Sequence, residues 1–204
     1  MSDSPSDPSA SVRRDSALMS RIGAGDVAAF QEVMAGNGRR LLRLAYGIVG
    51  RLDEAEDIVQ EAMLGLWQAA PEWQARATAA AYLRTLVTRK AIDVLRRRKK
   101  QAGEAVWDTL RDPGKSPEEQ LAASQDRDLV QYHLGLLPER QRAALALSHF
   151  EQLSHQEAAE VLDMKVEAFA SLLARARRSL RHSVEQADTH KEFRKTGKEI
   201  EGYE

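Results

Sequence analysis

Apolar positions along this chain recur every three to four residues, the spacing of one face of an α-helix. Helical character begins near Ala17. Val27-Ala-Ala-Phe30 and Val33-Met34 open one amphipathic segment, and Leu41, Leu42, Leu44, Ala45, Ile48 and Val49 continue the pattern after a break expected at Gly36-Asn37-Gly38. A third helix is predicted over Asp53 to Gln68, with Ala55, Ile58, Val59, Ala62, Met63, Leu66 and Trp67 along one side. Pro71 interrupts it within Ala69 to Thr78, and a long fourth helix follows from Ala79 to Lys100. No strand-like alternation bounded by turn signals occurs, so the pattern predicts an all-α chain.

The periodicity fades from residue 101 to about 125, where Gly and Pro enter, and this stretch is expected to be a flexible linker between two small helical domains. Helical patterns resume in "SQDRDLVQYHLGLL" and "PERQRAALALSHFEQ", with Pro138 suited to a first helical position. Ser154 and Glu157 stand in capping-box spacing. The segment Glu157 to Arg177 reads as two helices turning at Asp163-Met164-Lys165, with Val166, Phe169, Leu173, Ala176 and Leu180 forming one buried stripe. The last strong helix runs from Val166 to about Val184. Predicted boundaries are therefore a disordered 1–15, a first lobe at 16–100, a linker at 101–125, a second lobe at 126–184, and a frayed charged tail at 185–204.

Charge changes this picture more than composition does. The 204 residues carry a net charge of −1, yet Arg84 to Lys100 sums to +7, Lys165 to His182 to +4, and Asp53 to Glu61 holds five acids without a base. Such blocks favour polyanions at the basic segments and a protein surface at the acidic one. The absence of cysteine excludes disulfides, thiolate nucleophiles and Cys-based zinc sites. His133, His149 and His155 lack ligand spacing and are expected at the surface or near helix caps, so neither a metal nor a cofactor is expected. No apolar run is long enough for a membrane span and the start lacks a signal core, so a cytoplasmic protein with no membrane insertion is expected.

Four segments carry candidate chemistry. Asp53, Asp57 and Glu61 recur at i, i+4 and i+8, where like charges repel within a helix. Such a stripe fits a docking surface. It does not fit an active site, because no second motif converges on it. Arg96, Arg97, Arg98, Lys99 and Lys100 exceed what a helix dipole can use and suit phosphate neutralisation. In the hairpin, Lys165, Glu167, Ala168, Ser171, Arg175 and Arg178 face away from the buried stripe, as in a helix that enters a DNA groove. Trp73, Gln74, Arg76 and Thr78 lie beside the basic helix, where an aromatic can stack a flipped base or pack back on the bundle.

Together these segments resemble the sigma-70 family of RNA polymerase sigma factors, in particular the extracytoplasmic-function (ECF) type with only the second and fourth sigma regions. "DEAEDIVQEAMLGLWQ" (Asp53 to Gln68) is similar to the core-binding helix of region 2, and "AAAYLRTLVTRKAIDVLRRRKK" (Ala79 to Lys100) to the helix that melts and reads the −10 element. "SPEEQ" (Ser116 to Gln120) resembles the entry to region 4, and "LPERQRAALALSHFEQLSHQEAAEVL" (Leu137 to Leu162) the start of that region. The resemblance implies a four-helix region 2 lobe and a helix-turn-helix region 4 lobe. It implies that Arg40, Leu41, Tyr46, Asp53, Glu54, Asp57, Gln60 and Glu61 dock on the β′ clamp helices of core RNA polymerase, with region 4 on the β flap. It implies that Trp73 to Thr78 capture a −10 base while Arg84, Arg89 and Arg96 to Lys100 hold the melted strand. It assigns the −35 element to the hairpin, Arg177 included. The implied partners are core polymerase, promoter DNA and an anti-sigma factor, and the chain has no catalytic residues. Ala170 and Leu172 stand where relatives often carry Lys and Arg. Two alternatives remain open from sequence: a sigma-like decoy that binds an anti-sigma factor, and a simple helix-turn-helix regulator.

Overall fold

The computed structural model describes residues 8–74, 77–102 and 129–200, with side chains from residue 12 to 186 apart from 13 and 102. Among the described residues every regular element is helical. Helices α1 (Pro8–Gly23), α2 (Val27–Val49), α3 (Leu52–Ala69) and α4 (Ala79–Ala102) make the first lobe, with a 3₁₀ turn at Ala70–Glu72. Helix α5 (residues 129–135), α6 (Glu139–Phe150), α7 (His155–Val161) and α8 (Val166–Ile200) make the second.

Local chemistry accounts for several of the ends. Asp26 caps α2 by accepting from the Ala29 N–H at 3.0 Å, and Gly50 closes it at φ 77°, a left-handed conformation that glycine adopts without strain. The four-helix core buries Leu44, Ile48, Leu66, Leu83 and Val87 completely, with α2 packed on both α3 and α4. In the second lobe α8 packs on α6 and α7, with Leu147, Phe169 and Leu173 at the centre. The Ser154–Glu157 capping box forms in both directions: the Ser154 hydroxyl accepts from Glu157 N–H at 3.2 Å, and the Glu157 carboxylate accepts from Ser154 N–H at 2.9 Å. The Ser154 hydroxyl and N–H hold that carboxyl below its ordinary range. Its stabilisation is therefore present above the usual carboxylate pKa and fades as pH falls through the folded value.

Four expectations need correction. The N-terminal segment is helical from Pro8, and Asp15 accepts from the Ala79 N–H at 2.7 Å, capping α4 across the lobe. Gly36-Asn37-Gly38 does not break α2: Asn37 donates to the Val33 carbonyl at 2.9 Å, while Val33 and Leu41 anchor the helix in the core on either side. Pro138 is the cap before α6 and not its first residue. Helix α8 continues past Val184 to Ile200 without fraying at 185, since the sequence from 166 to 200 contains no proline to stop it. The expected linker lies outside the described residues except for Gln101 and Ala102, which complete α4.

The two lobes pack against each other. Helix α2 meets α6, and α4 meets both α6 and α7. Gly47 makes room for this contact, since a Cβ there would lie 2.3 Å from a ring carbon of Phe150.

Candidate polymerase and nucleic-acid interfaces

Helix α3 turns its acidic face to solvent. Asp53, Glu56, Asp57, Gln60 and Glu61 are exposed, flanked by the exposed apolar side chains of Leu52 and Leu64. Sequence reasoning overlooked the exposed Leu52 and Leu64; an apolar residue standing off the buried spacing of α3 was the available signal. Asp53 accepts from Arg51 at 2.7 Å, and this bond, followed by that from the Glu54 N–H, lowers its pKa to about 2.

Not every acid of α3 is equally available. Glu61 accepts from Lys90 of α4 at 2.6 Å, and Glu54 is only partly exposed, held by Arg98 at 2.8 Å. Arg98 also donates to the Val49 carbonyl at 3.2 Å, one of the carbonyls left open at the C-terminus of α2. Residues assigned by resemblance to polymerase and to DNA therefore pair with each other and hold α3 against α4. Leu41 belongs to neither surface. It is 3% exposed and part of the core, because it lies on the buried face of α2. Tyr46 is half-buried and packs on that core, and Arg40 reaches the second lobe.

The basic helix divides in the same way. Arg89, Arg97, Lys99 and Lys100 are exposed, whereas Arg84 is largely covered and Arg96 meets Glu139 of α6 at 3.3 Å. Burial opposes ionisation of Glu139, but its own backbone N–H and then Arg96 outweigh this and keep its pKa below the usual value. In the loop before α4, Trp73 packs back on the bundle, edge-on to Tyr82 with ring centroids 5.2 Å apart, and its indole nitrogen is buried without a hydrogen-bond partner. The Thr78 hydroxyl accepts from the Ala81 N–H at 3.2 Å and so serves the start of α4. Gln74 is exposed, and Arg76 lies outside the described residues.

The hairpin matches its sequence reading closely. Asp163 adopts φ 50° at the turn, the left-handed conformation that Asp tolerates better than most residues. Phe169, Leu173 and Ala176 are buried, with Val166 and Leu180 partly so. Lys165, Glu167, Ala168, Ser171, Arg175, Arg177 and Arg178 are all exposed; Glu167, Ala168, Ser171, Arg175 and Arg178 share one outward face by helical spacing, and Arg177 stands to its side. Leu172 is buried, so the apolar residue at that position serves the core. Of the histidines, His133 departs from expectation: it is 1% exposed, with Nδ1 2.7 Å from the Ser183 hydroxyl, and ties α5 to α8.

Residues 33–101 match the family described as Sigma-70 region 2, and residues 127–180 the family described as Sigma-70, region 4. The chain is 30% identical over 167 residues to the RNA polymerase sigma-E factor of Streptomyces antibioticus, covering 80% of this chain and 89% of that protein. It is 30% identical over 176 residues to the ECF RNA polymerase sigma factor SigE of Mycolicibacterium smegmatis, covering 81% and 68%. Among solved structures it resembles CnrH in complex with the cytosolic domain of CnrY, with a TM-score of 0.64 and 23% identity, covering 84% of this chain and 97% of that one. The sigma factor RpoE in complex with the anti-sigma factor NepR from Bartonella quintana gives a TM-score of 0.58 at 22% identity, covering 76% and 96%. With helical lobes at the matched segments and those two relatives across most of its length, the chain belongs to the ECF sigma factors of the sigma-70 family.

Proposed function

We propose that this chain recruits core RNA polymerase through the exposed acidic face of α3, holds melted −10 DNA along α4, and reads −35 duplex with the outward face of α8. The observation that carries this assignment is the segregation of one exposed acidic face and two exposed basic ones on three different helices of a sigma fold. Asp53, Asp57 and Gln60, flanked by Leu52 and Leu64, offer a charged face with apolar edges, suited to a basic protein surface. Arg89, Arg97, Lys99 and Lys100 suit phosphates of an unpaired strand. The chain itself catalyses nothing, and the polymerase performs the chemistry in the cytoplasm. Control by an anti-sigma factor is supported by one structural relative, the sigma factor RpoE, co-crystallised with the anti-sigma factor NepR.

Run-off transcription with core polymerase tests this assignment. The chain is expected to direct initiation, and Arg97→Gln with Lys100→Gln is expected to reduce the slope of log binding against log salt by about 1.4 on single-stranded −10 DNA. An unchanged slope would remove these cations from the strand path. Arg175→Ala is expected to weaken −35 duplex binding by about 1–3 kcal/mol, read by electrophoretic shift at fixed salt. Undiminished affinity would mean that α8 reads DNA with other side chains.

A further inference from the structure

We propose that the chain holds itself shut, with Glu151 as a latch between the lobes and Phe150 seated on Gly47 as its stop. This rests on the sigma reading given above and adds a layer of control that needs no second protein.

The latch is built at the turn between α6 and α7. Glu151 is 4% exposed although charged, and its two carboxylate oxygens accept from different helices of the other lobe: Arg40 of α2 at 2.9 Å and Arg84 of α4 at 3.3 Å. Arg40 also donates to the Glu151 backbone carbonyl at 3.0 Å. The following residue, Gln152, adopts φ 50°, a conformation a non-glycine residue holds only when its surroundings impose it. Nearby, Arg142 donates to the Ile48 carbonyl at 3.3 Å, meeting an open carbonyl at the end of α2. A buried carboxylate between two arginines is costly to expose singly, because losing either partner strands the remaining charge.

Closure conflicts with promoter binding on geometric grounds. Elements centred near −35 and −10 lie about 25 base pairs apart, roughly 85 Å along B-form DNA. In the closed form α4 packs directly against α7, the first helix of the reading hairpin, so both DNA surfaces share one side-by-side assembly. Helix α4 itself is only about 36 Å long. The 26 residues from 103 to 128 can span about 86–94 Å when extended, enough to let the lobes part. Closure also engages Arg40 and Arg84, both implied in polymerase or strand binding, while the outward face of α8 stays exposed. A chain that is mostly closed binds polymerase more weakly by the fraction that is open.

The test uses the full chain with spin labels at Gln31→Cys and Ser179→Cys, two exposed positions in a sequence without native cysteine. The parent is expected to give a narrow inter-lobe distance distribution, and Glu151→Gln a longer and broader one. The unlabelled variant should bind core polymerase about tenfold more tightly, with −35 duplex affinity unchanged. Gly47→Leu supplies a second route: it fills the seat of the Phe150 ring and replaces glycine by a better helix former, so the first lobe stays folded. It should reproduce both effects. A broad distribution in the parent overturns the latch, as does an opened variant that binds polymerase no more tightly. If the parent fails to bind polymerase in any state, the sigma assignment falls and the distance distributions alone decide the latch.

Discussion

Asp57→Arg combined with Glu61→Arg is expected to abolish run-off transcription by lowering affinity for core polymerase at least about 100-fold, without unfolding the chain. Asp57 is fully on the solvent side of α3, and the Glu61–Lys90 pair is exposed, where such pairs contribute at most about 1 kcal/mol. The new cation at 57 attracts Asp53 at i, i+4 spacing, which offsets by a few tenths of a kcal/mol its repulsion from the new cation at 61. Against a basic partner surface, however, reversal replaces attraction by repulsion worth several kcal/mol, and each 1.4 kcal/mol is about tenfold in affinity. Fluorescence anisotropy with labelled chain would measure the loss, and circular dichroism would check the fold. Parent-like affinity would move the docking surface elsewhere. Glu54 is the instructive contrast: it holds Arg98, so reversing it is expected to loosen α3 from α4, and any loss of transcription would report folding as much as docking.

Phe169→Ala is expected to destabilise the second lobe by about 3–5 kcal/mol, the usual range for deleting a buried aromatic ring. Phe169 is 0% exposed and meets His155 edge-on at 5.5 Å, so its ring is what α7 and α8 close upon. A lobe of this size has little stability to spare. The variant should lose −35 duplex binding and part of its helical signal on warming, while the first lobe retains its own cooperative transition. A melting profile indistinguishable from the parent would show that the stripe through Phe169 is not the centre of the lobe.

Features set by neighbours in the chain were legible before any coordinates. The stripe Val166, Phe169, Leu173, Ala176, Leu180, the Asp163 turn and the Ser154–Glu157 box all depend on spacings of three or four residues, and all three formed. The misreadings share a different cause. Gly36 and Gly38 looked like a stop, but burial of Val33 and Leu41 carries α2 through them, and burial is a long-range property. Leu41 looked available for docking until the core claimed it. Arg98 and Glu54 were assigned to different partners because nothing in their separation of 44 positions reveals that they touch. The same holds for Glu151, which stands 111 positions from Arg40 and carried no signal as a lone acid between two helices.

The carboxylate of Asp15 on the first free N–H of α4 has a practical corollary for anyone handling this protein. The opening residues resemble disposable leader sequence, the kind trimmed to improve crystals or replaced by a purification handle. Shortening the chain past Asp15 would uncap the helix proposed to hold the open strand, leaving its first turn to fray and its cations less firmly aimed. A preparation altered in that way could be blamed for a poor promoter when the fault lay at its own beginning.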